Sequence, residues 1–428
     1  MYQLFTRRRD ALFDLTDALV STGPTLSPAH LSLAPSFQRG WGSVYDALFD
    51  GQVDGQDVER VLAQHPLEAG EPIDAVDASV RARCDAETSP ERALYHHPSR
   101  HSAGQPIGAG WAYHWIAQVS FAPDSWTSPR TIRRLKPGEN INHVAVEQIK
   151  ERLQGYPEEA PLPIFVFDAG YEPGQLALAW DSLRAAALTR LRSGRCFSAD
   201  PSEGAPTERP PRHGHKFACA DPTTWPEPDQ EDATEDTHYG HVRVRAWHQL
   251  QAIPQNHSKR GTCGPRPLMR GTLILVEVAQ LPKHTRVPKQ LWLWWHAPEL
   301  PPLSLVWRAY VARFMLEHTF RFVKPVFKWT LPRVRHPEQA DRWTWLVVLA
   351  STQLRLARPL VADHRLPWEK PLAEGKLTPS RVRRAFPSLL RHLPVLAHLP
   401  KPCGRSPGRP KGRLSGPATR YPAVKKAA

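Results

Sequence analysis

The sequence predicts an α/β fold in which a mixed sheet is flanked by helices, and three stretches carry this prediction. Residues 163–167 form a continuous apolar run that is followed by Asp168 and then by a helical pattern, as in a strand covered on both faces. Residues 72–80 are small and β-branched, which is typical of a strand. Residues 304–328 have helical periodicity and contain no glycine and no proline before Pro325.

Composition favours an anionic partner. The net charge of the 428-residue chain is +14, which suits nucleic acid or an anionic membrane surface. The longest apolar stretch, 343–350, is much shorter than the ~20 residues of a membrane-spanning helix, and no export signal is recognisable. The five cysteines are scattered without a C-x-x-C pair, so we expect neither a disulfide framework nor a zinc site. These features predict a cytoplasmic protein that binds DNA.

The N-terminal stretch 1–66 is predicted to be a helical module. Helical patterns cover 8–20, 44–49 and 57–63, with prolines between the first two. Two roles remain open for this module, which either caps the core by packing or binds DNA ends.

The predicted strand at 72–80 supplies the first candidate ligand. Asp77 shares a face with Ala75 and Ser79, whereas Asp74 points to the opposite face with Val76. Asp77 is therefore the first choice, and Asp74 is the alternative.

The second candidate is Asp168. Carboxylates at the C-terminal ends of strands in open α/β sheets lie where ligands bind; a turn or helix N-cap aspartate is the alternative. The neighbouring predicted elements are strands at 110–121, 125–135 and 188–197, with Pro129 placing the second at an edge, and helices at 142–153 and 174–188. His96, His97 and His101 fit a polar loop or a phosphate contact better than a metal site.

Residues 198–302 are predicted to interrupt this core. The part up to Asp236 is rich in proline and acid and is predicted to be a loop. Strand-like runs follow at 241–247, 271–281 and 289–297.

A narrow helical face carries the most specific pattern in the chain. On a helix, Tyr310, Arg313, Glu317 and Lys324 fall within an arc of about 60°. A solvated charged face explains the Glu–Arg spacing, but it does not call for the tyrosine and the lysine. Tyr-x2-Arg-x3-Glu-x6-Lys resembles the Tyr-Arg-Glu-Lys signature of bacterial insertion-sequence transposases in the DDE superfamily, whose catalytic core has a ribonuclease H-like fold.

The resemblance implies a site and a domain organisation. Asp77, Asp168 and Glu317 would be the catalytic acids and would hold two Mg²⁺ or Mn²⁺ ions. Tyr310 and Arg313 would bind phosphates at the transposon end, with Lys324 beside the cleaved strand. The core would comprise 70–197 and 303–360, separated by a mostly-β insertion at 198–302.

Further DNA contacts are expected from basic and aromatic residues outside the motif. In the transposase interpretation, Arg192 and Arg195 would lie near phosphates; ordinary edge-strand charges are the alternative. In the insertion, Arg243, Arg245, Trp292 and Trp294 would contact DNA, because a base stacks on an indole. For the tryptophans, the core of the insertion is the alternative.

The C-terminal region is predicted to be helical and then basic. A helix is expected over 337–358. Residues 361–428 are basic, and from about 401 a disordered tail is expected, in which 407–413 resembles an AT-hook that suits a narrow minor groove.

Taken together, these features predict an insertion-sequence transposase of the bacterial nucleoid. It would bind terminal inverted repeats, cleave DNA and transfer the 3′-hydroxyl to target DNA as a homodimer in a synaptic complex. Two alternatives remain, a decayed or domesticated non-catalytic DNA-binding protein and a metal-dependent nuclease without strand transfer.

Overall fold

The structure is a computed structural model. It describes residues 1–23, 27–67, 71–96, 107–122, 124–180, 182–200, 214–252, 269–281, 289–373, 375–390 and 416–424. The predictions at His97, His101 and 407–413 lie outside the described residues. None of the helices in these ranges combines the length and apolarity that crossing a bilayer requires.

The N-terminal part is helical, as the sequence predicts. In the chain, two of its three α-helices lie between the two strands of a short antiparallel pair. The third helix begins after Asp54, whose side chain accepts hydrogen bonds from the N–H groups of Gln56 and Asp57. The elements are β1 (Phe5–Arg7), α1 (Arg9–Ser21), α2 (Gly42–Asp50), β2 (Gln52–Val53) and α3 (Gly55–Ala63).

The next part forms the centre of the large sheet. Its elements are β3 (Ile73–Ala82), β4 (Ala93–His96), β5 (Ile107–Val119), β6 (Ser128–Leu135), α4 (Ile141–Leu153), β7 (Ile164–Phe167), α5 (Pro173–Trp180) and β8 (Ala186–Leu191). The order across the sheet is β6-β5-β3-β7-β8. The first three strands are antiparallel, whereas β7 and β8 run parallel to β3. This order and these directions confirm the predicted ribonuclease H-like mixed sheet.

Alternation along the buried strands assigns the two faces of this sheet. Val76, Phe165 and Phe167 pack with α4 and α5, whereas Ala75 and Val166 belong to the larger core on the other face. Asp77 follows the parity of Ala75 and therefore points to the larger core. Helix α5 ends at Trp180, earlier than the predicted 188, because the chain turns there into β8.

The strands of residues 196–296 continue the same sheet. They are β9 (Cys196–Ser198), β10 (Lys216–Ala218), β11 (Gln230–Asp236), β12 (Gly240–Ala252), β13 (Met269–Val278) and β14 (Gln290–His296). Strand β14 pairs antiparallel with β8, so the sheet is continuous across the two parts.

Two predictions in this part are wrong. Residues 230–236, expected in a loop, form the edge strand β11, which has no apolar side to signal it. It pairs antiparallel with β12, and Glu231 forms an ion pair with Arg243 of that strand. The single strand expected at 188–197 is two strands, β8 and β9, separated by a turn.

Four helices follow and cover the Ala75 face. They are α6 (Leu303–Ala312), α7 (Phe314–Val323), α8 (Pro337–Ala357) and α9 (Pro379–Leu390). The predicted continuous helix from 304 is interrupted at Arg313, whose N–H and C=O make i→i−3 bonds to Tyr310 and Leu316. In the predicted disordered tail, the structure describes residues 416–424, of which Val424 bridges to Ala93 of β4.

Candidate active site

Two neighbouring parallel strands carry the two aspartates. Val76 pairs with Phe167 across β3 and β7. Asp77 and Asp168 come directly after this pair, so the register brings them to the same level of the sheet. Residues 91 positions apart in the sequence are thereby neighbours.

Arg313 joins the third acid to the first. One guanidinium nitrogen donates to Asp77 Oδ2 at 3.2 Å, and the other donates to Glu317 Oε1 at 3.0 Å. Helix α7 packs on β3 and β5, with Leu316 fully buried beneath it, and this packing holds Glu317 above β3. All three predicted acids therefore belong to one cluster.

The electrostatics of the cluster show a shortage of positive charge. Burial raises the pKa of Asp77 to about 6, and Asp168 adds to the rise, while Arg313 opposes it. Burial lowers the pKa of Arg313. Asp77 and the other acidic neighbours raise this pKa by more than burial lowers it, so that the net shift is upward. A single guanidinium therefore stabilises the cluster only in part.

The other two residues of the motif face the same cluster. Tyr310 is buried, which raises its pKa, and Arg313 and Arg190 oppose this shift. Burial lowers the pKa of Lys324, and Asp77 opposes it; the ammonium lies 5.7 Å from the centre of the Phe320 ring. Asp168 acts on the pKa of Tyr310 and Asp77 on that of Lys324, so both side chains lie within electrostatic reach of the cluster.

Asp168 also forms a turn, as its alternative interpretation proposes. Its Oδ1 accepts the N–H of Gly170 at 2.8 Å. The helix N-cap interpretation is not met, because the C=O and side chain of Glu172 accept the first N–H groups of α5. Arg195 pairs with Glu172 at 2.6 Å, so in this structure its charge holds the turn behind Asp168.

Asp74, the alternative first acid, lies elsewhere. It is fully buried on the opposite face of β3, where burial raises its pKa and Arg152 and Arg130 oppose the rise. Within the described part of the chain, its Oδ1 has no hydrogen-bond partner. The geometry thus favours Asp77 over Asp74 as a member of the cluster.

The other predicted DNA-contacting residues are dispersed. Arg192 is exposed in the turn after β8. Arg243 pairs with Glu231 at 2.7 Å, and Arg245 pairs with Glu277 at 2.8 Å. DNA contact by these residues stays a prediction.

The tryptophans of β14 are core residues in this structure. Trp292 and Trp294 are buried, and Trp294 stacks on Phe197 with a ring separation of 4.9 Å. Neither indole face is open to a base, so the alternative interpretation, in which these rings form the core of the insertion, describes their placement. Base stacking on them would require the strands to rearrange.

Tyr171 is a neighbour of the site that the sequence analysis missed. It is buried, its hydroxyl has no hydrogen-bond partner among the described residues, and burial together with Asp77 and Asp168 raises its pKa well above the ordinary value. Its ring packs on Phe167 and His114. The available signal was its position three residues after Asp168.

The chemistry of the cluster suits a divalent ion, although the side chains are not arranged as a finished site. Three carboxylates offer only oxygen donors, which Mg²⁺ and Mn²⁺ prefer, and the raised pKa of Asp77 shows that further positive charge would stabilise them. In the described part of the chain, no group of three or more His, Cys, Asp or Glu side chains stands ready to hold a metal ion. Arg313 lies between two of the donors.

The α/β sheet has this topology, and its acids lie on β3, after β7 and on α7. This arrangement defines the class of nucleases and transposases that the sequence motif suggests. A family model described as DDE superfamily endonuclease matches residues 1–253. The chain belongs to that family. The matched part contains Asp77 and Asp168, whereas Glu317 and the rest of the motif lie beyond it.

Two further comparisons complete the picture. No curated protein matches the chain. Among solved structures, the chain resembles a piggyBac transposase in a cryo-EM synaptic complex with hairpin DNA, with 11% identity over 91% of this chain and 73% of that one, at a TM-score of 0.39.

Proposed function

We propose that this protein is a DDE transposase of an insertion sequence. It would bind terminal inverted repeats, cleave DNA and join the freed 3′-hydroxyl to a target. The observation that supports this most strongly is the cluster of Asp77, Asp168 and Glu317, in which Arg313 binds the first and third acids. A solvated charged face would not bring together acids that are 91 and 149 positions apart in the chain.

Each residue of the cluster has a role in this proposal. Asp77, Asp168 and Glu317 would hold the divalent ions, which supply activation of the attacking oxygen and stabilisation of the leaving oxygen when bound. Arg313 suits a phosphate because its planar fork donates two hydrogen bonds at once. Lys324 and Tyr310 border the same space.

The proposal includes the organisation predicted from the sequence. Residues 70–197 and 303–360 would form the catalytic core, 198–302 an insertion, 1–66 an accessory module, and 361–428 a basic C-terminal region. Two copies would act together in a synaptic complex in the bacterial cytoplasm.

The test uses the full chain with Mg²⁺, DNA that carries the element's own ends, and a supercoiled target plasmid. Wild type is expected to yield nicked ends and products joined to the plasmid. Asp168→Asn and Glu317→Gln should bind the DNA and yield neither product. Asp74→Asn is the matched control, because it removes a carboxylate from the same strand as Asp77 on the opposite face, and it should retain both products.

The alternatives give different products. Nicking without joined products would indicate a metal-dependent nuclease. Retained DNA binding without any nicking by wild type would indicate a non-catalytic DNA-binding protein. Nicking that persists in Glu317→Gln would refute the proposed site.

A further inference from the structure

The observed position of Arg313 conflicts with contact to DNA. Its side chain is 4% exposed, and its two terminal nitrogens donate to Asp77 and Glu317. The rings of Tyr310 and Phe314 lie beside the guanidinium, with ring centres 5.8 Å and 5.2 Å away. In this position the guanidinium is bonded to carboxylates and has almost no exposed surface for a phosphate.

Arg313 also occupies the place where positive charge is needed. It binds one oxygen each of two carboxylates that would hold metal in the proposed function. A divalent ion held by the same carboxylates would be close to the guanidinium, and the two positive charges would repel each other. Metal and guanidinium therefore compete for Asp77 and Glu317.

Lys324 does not take this place. No ion pair between its ammonium and the three acids is present in the described part of the chain, and the ammonium lies 5.7 Å from the centre of the Phe320 ring. Arg313 lies at the interruption between α6 and α7, where its N–H bonds to the C=O of Tyr310 and its C=O accepts the N–H of Leu316. Its side chain therefore leaves the chain between two helices and not from the interior of one.

We propose that Arg313 is an exchangeable counter-cation of the acidic cluster, and this inference rests on the proposed function. Without metal it holds Asp77 and Glu317 together. When divalent ions bind, Arg313 leaves the carboxylates and pairs with a DNA phosphate. Displaced without DNA, the buried guanidinium would lack a partner, which is strongly unfavourable. Metal binding and DNA binding are consequently cooperative, and each raises the affinity of the other by the same factor.

The test measures Mn²⁺ affinity by electron paramagnetic resonance, with and without a DNA duplex that carries the element's end. For the wild-type full chain, DNA should raise Mn²⁺ affinity at the cluster by on the order of tenfold. Arg313→Met keeps the length of the side chain and removes the charge. It should bind Mn²⁺ more tightly than wild type without DNA, and the effect of DNA should be largely lost.

Two further variants serve as controls. Arg313→Lys keeps a cation in place and should behave like wild type without DNA. Arg308→Met removes an exposed arginine of α6 that packs over the Phe121 ring, and it should leave the Mn²⁺ affinity and its DNA dependence unchanged.

The inference and the proposed function fail in different ways. Equal Mn²⁺ affinity of wild type with and without DNA would overturn the inference, and so would an Arg313→Met affinity no greater than that of wild type. The first of these measurements needs no variant and stands even if Arg313→Met does not fold. Mn²⁺ binding that is unaffected by Asp168→Asn, or absent even with DNA, would refute the proposed metal site itself.

Discussion

Replacing Asp77 with asparagine should stabilise the metal-free protein while removing a proposed metal ligand. Burial and the neighbouring Asp168 raise the pKa of Asp77 from 3.8 to about 6. Each tenfold change in proton affinity corresponds to about 1.4 kcal/mol. The ionised carboxylate therefore lowers the free energy of unfolding at neutral pH by about 3 kcal/mol compared with a carboxylate of ordinary pKa. Asp77→Asn removes this cost.

The pH dependence of this effect has a definite sign. Because the native protein holds the Asp77 proton more tightly than the unfolded chain does, the cost is present above pH 6 and disappears as the pH falls from 6 to 3.8. The free energy of unfolding is measured by urea unfolding in EDTA, followed by tryptophan fluorescence. The advantage of Asp77→Asn over wild type should be larger at pH 7.5 than at pH 4.5, and the difference should be most of this ~3 kcal/mol.

The matched control is Asp85→Asn, which changes an exposed aspartate paired with Arg333 at 3.5 Å, outside the cluster. Its difference from wild type should stay within about 0.5 kcal/mol, as for most surface substitutions. If the advantage of Asp77→Asn were the same at both pH values, or greater at low pH, the electrostatic account of the cluster would be refuted.

Three other predictions concern packing and a buried histidine. Trp294→Ala removes an indole that is 1% exposed and stacked on Phe197, so the free energy of unfolding should fall by about 3–5 kcal/mol in the urea assay. The control is Trp368→Ala, at a 78% exposed position, which should change the free energy of unfolding by less than about 0.5 kcal/mol. Equal losses would contradict the buried placement of Trp294. Gly271→Ala puts a methyl group 2.5 Å from the Trp294 ring and should cost about 1–3 kcal/mol; an unchanged urea midpoint would contradict this close packing. Burial lowers the pKa of His114 from 6.5 to about 4. As the pH falls from 6.5 to 4, the free energy of unfolding of wild type should therefore decrease by up to about 3 kcal/mol relative to that of His114→Gln. A difference between the two proteins that is independent of pH would refute this.

The sequence predicts the centre of the molecule well because patterning there reflects burial. The run before Asp168 and the motif from Tyr310 to Lys324 lie in elements covered by the core, where periodicity follows the buried faces. Because side chains alternate along a strand, Asp77 must lie on the face opposite to Val76, and the sequence alone identifies this. The sequence does not give the register of β3 against β7, which brings Asp77 and Asp168 level, because pairing between distant strands leaves no local pattern.

The errors have equally physical causes. Strand β11 has alternating acids and no apolar face, so nothing in its composition distinguishes an edge strand from a loop. Trp292 and Trp294 are two positions apart, so they lie on the same face of a strand, and basic residues are nearby in the sequence. This pattern is equally compatible with a DNA-binding surface and with a core. Tyr171 was overlooked because a single tyrosine in a turn carries no pattern; its importance comes only from the charges around it.

The pairing of β14 with β8 has a consequence for any attempt to trim the protein. Residues 198–302 cannot be excised as a self-contained unit, because the cut would bare the backbone N–H and C=O groups of β8 that now bond to β14. An uncapped apolar border of this kind recruits other chains and promotes aggregation. A shortened version would need a substitute strand along β8 or charged residues facing the gap.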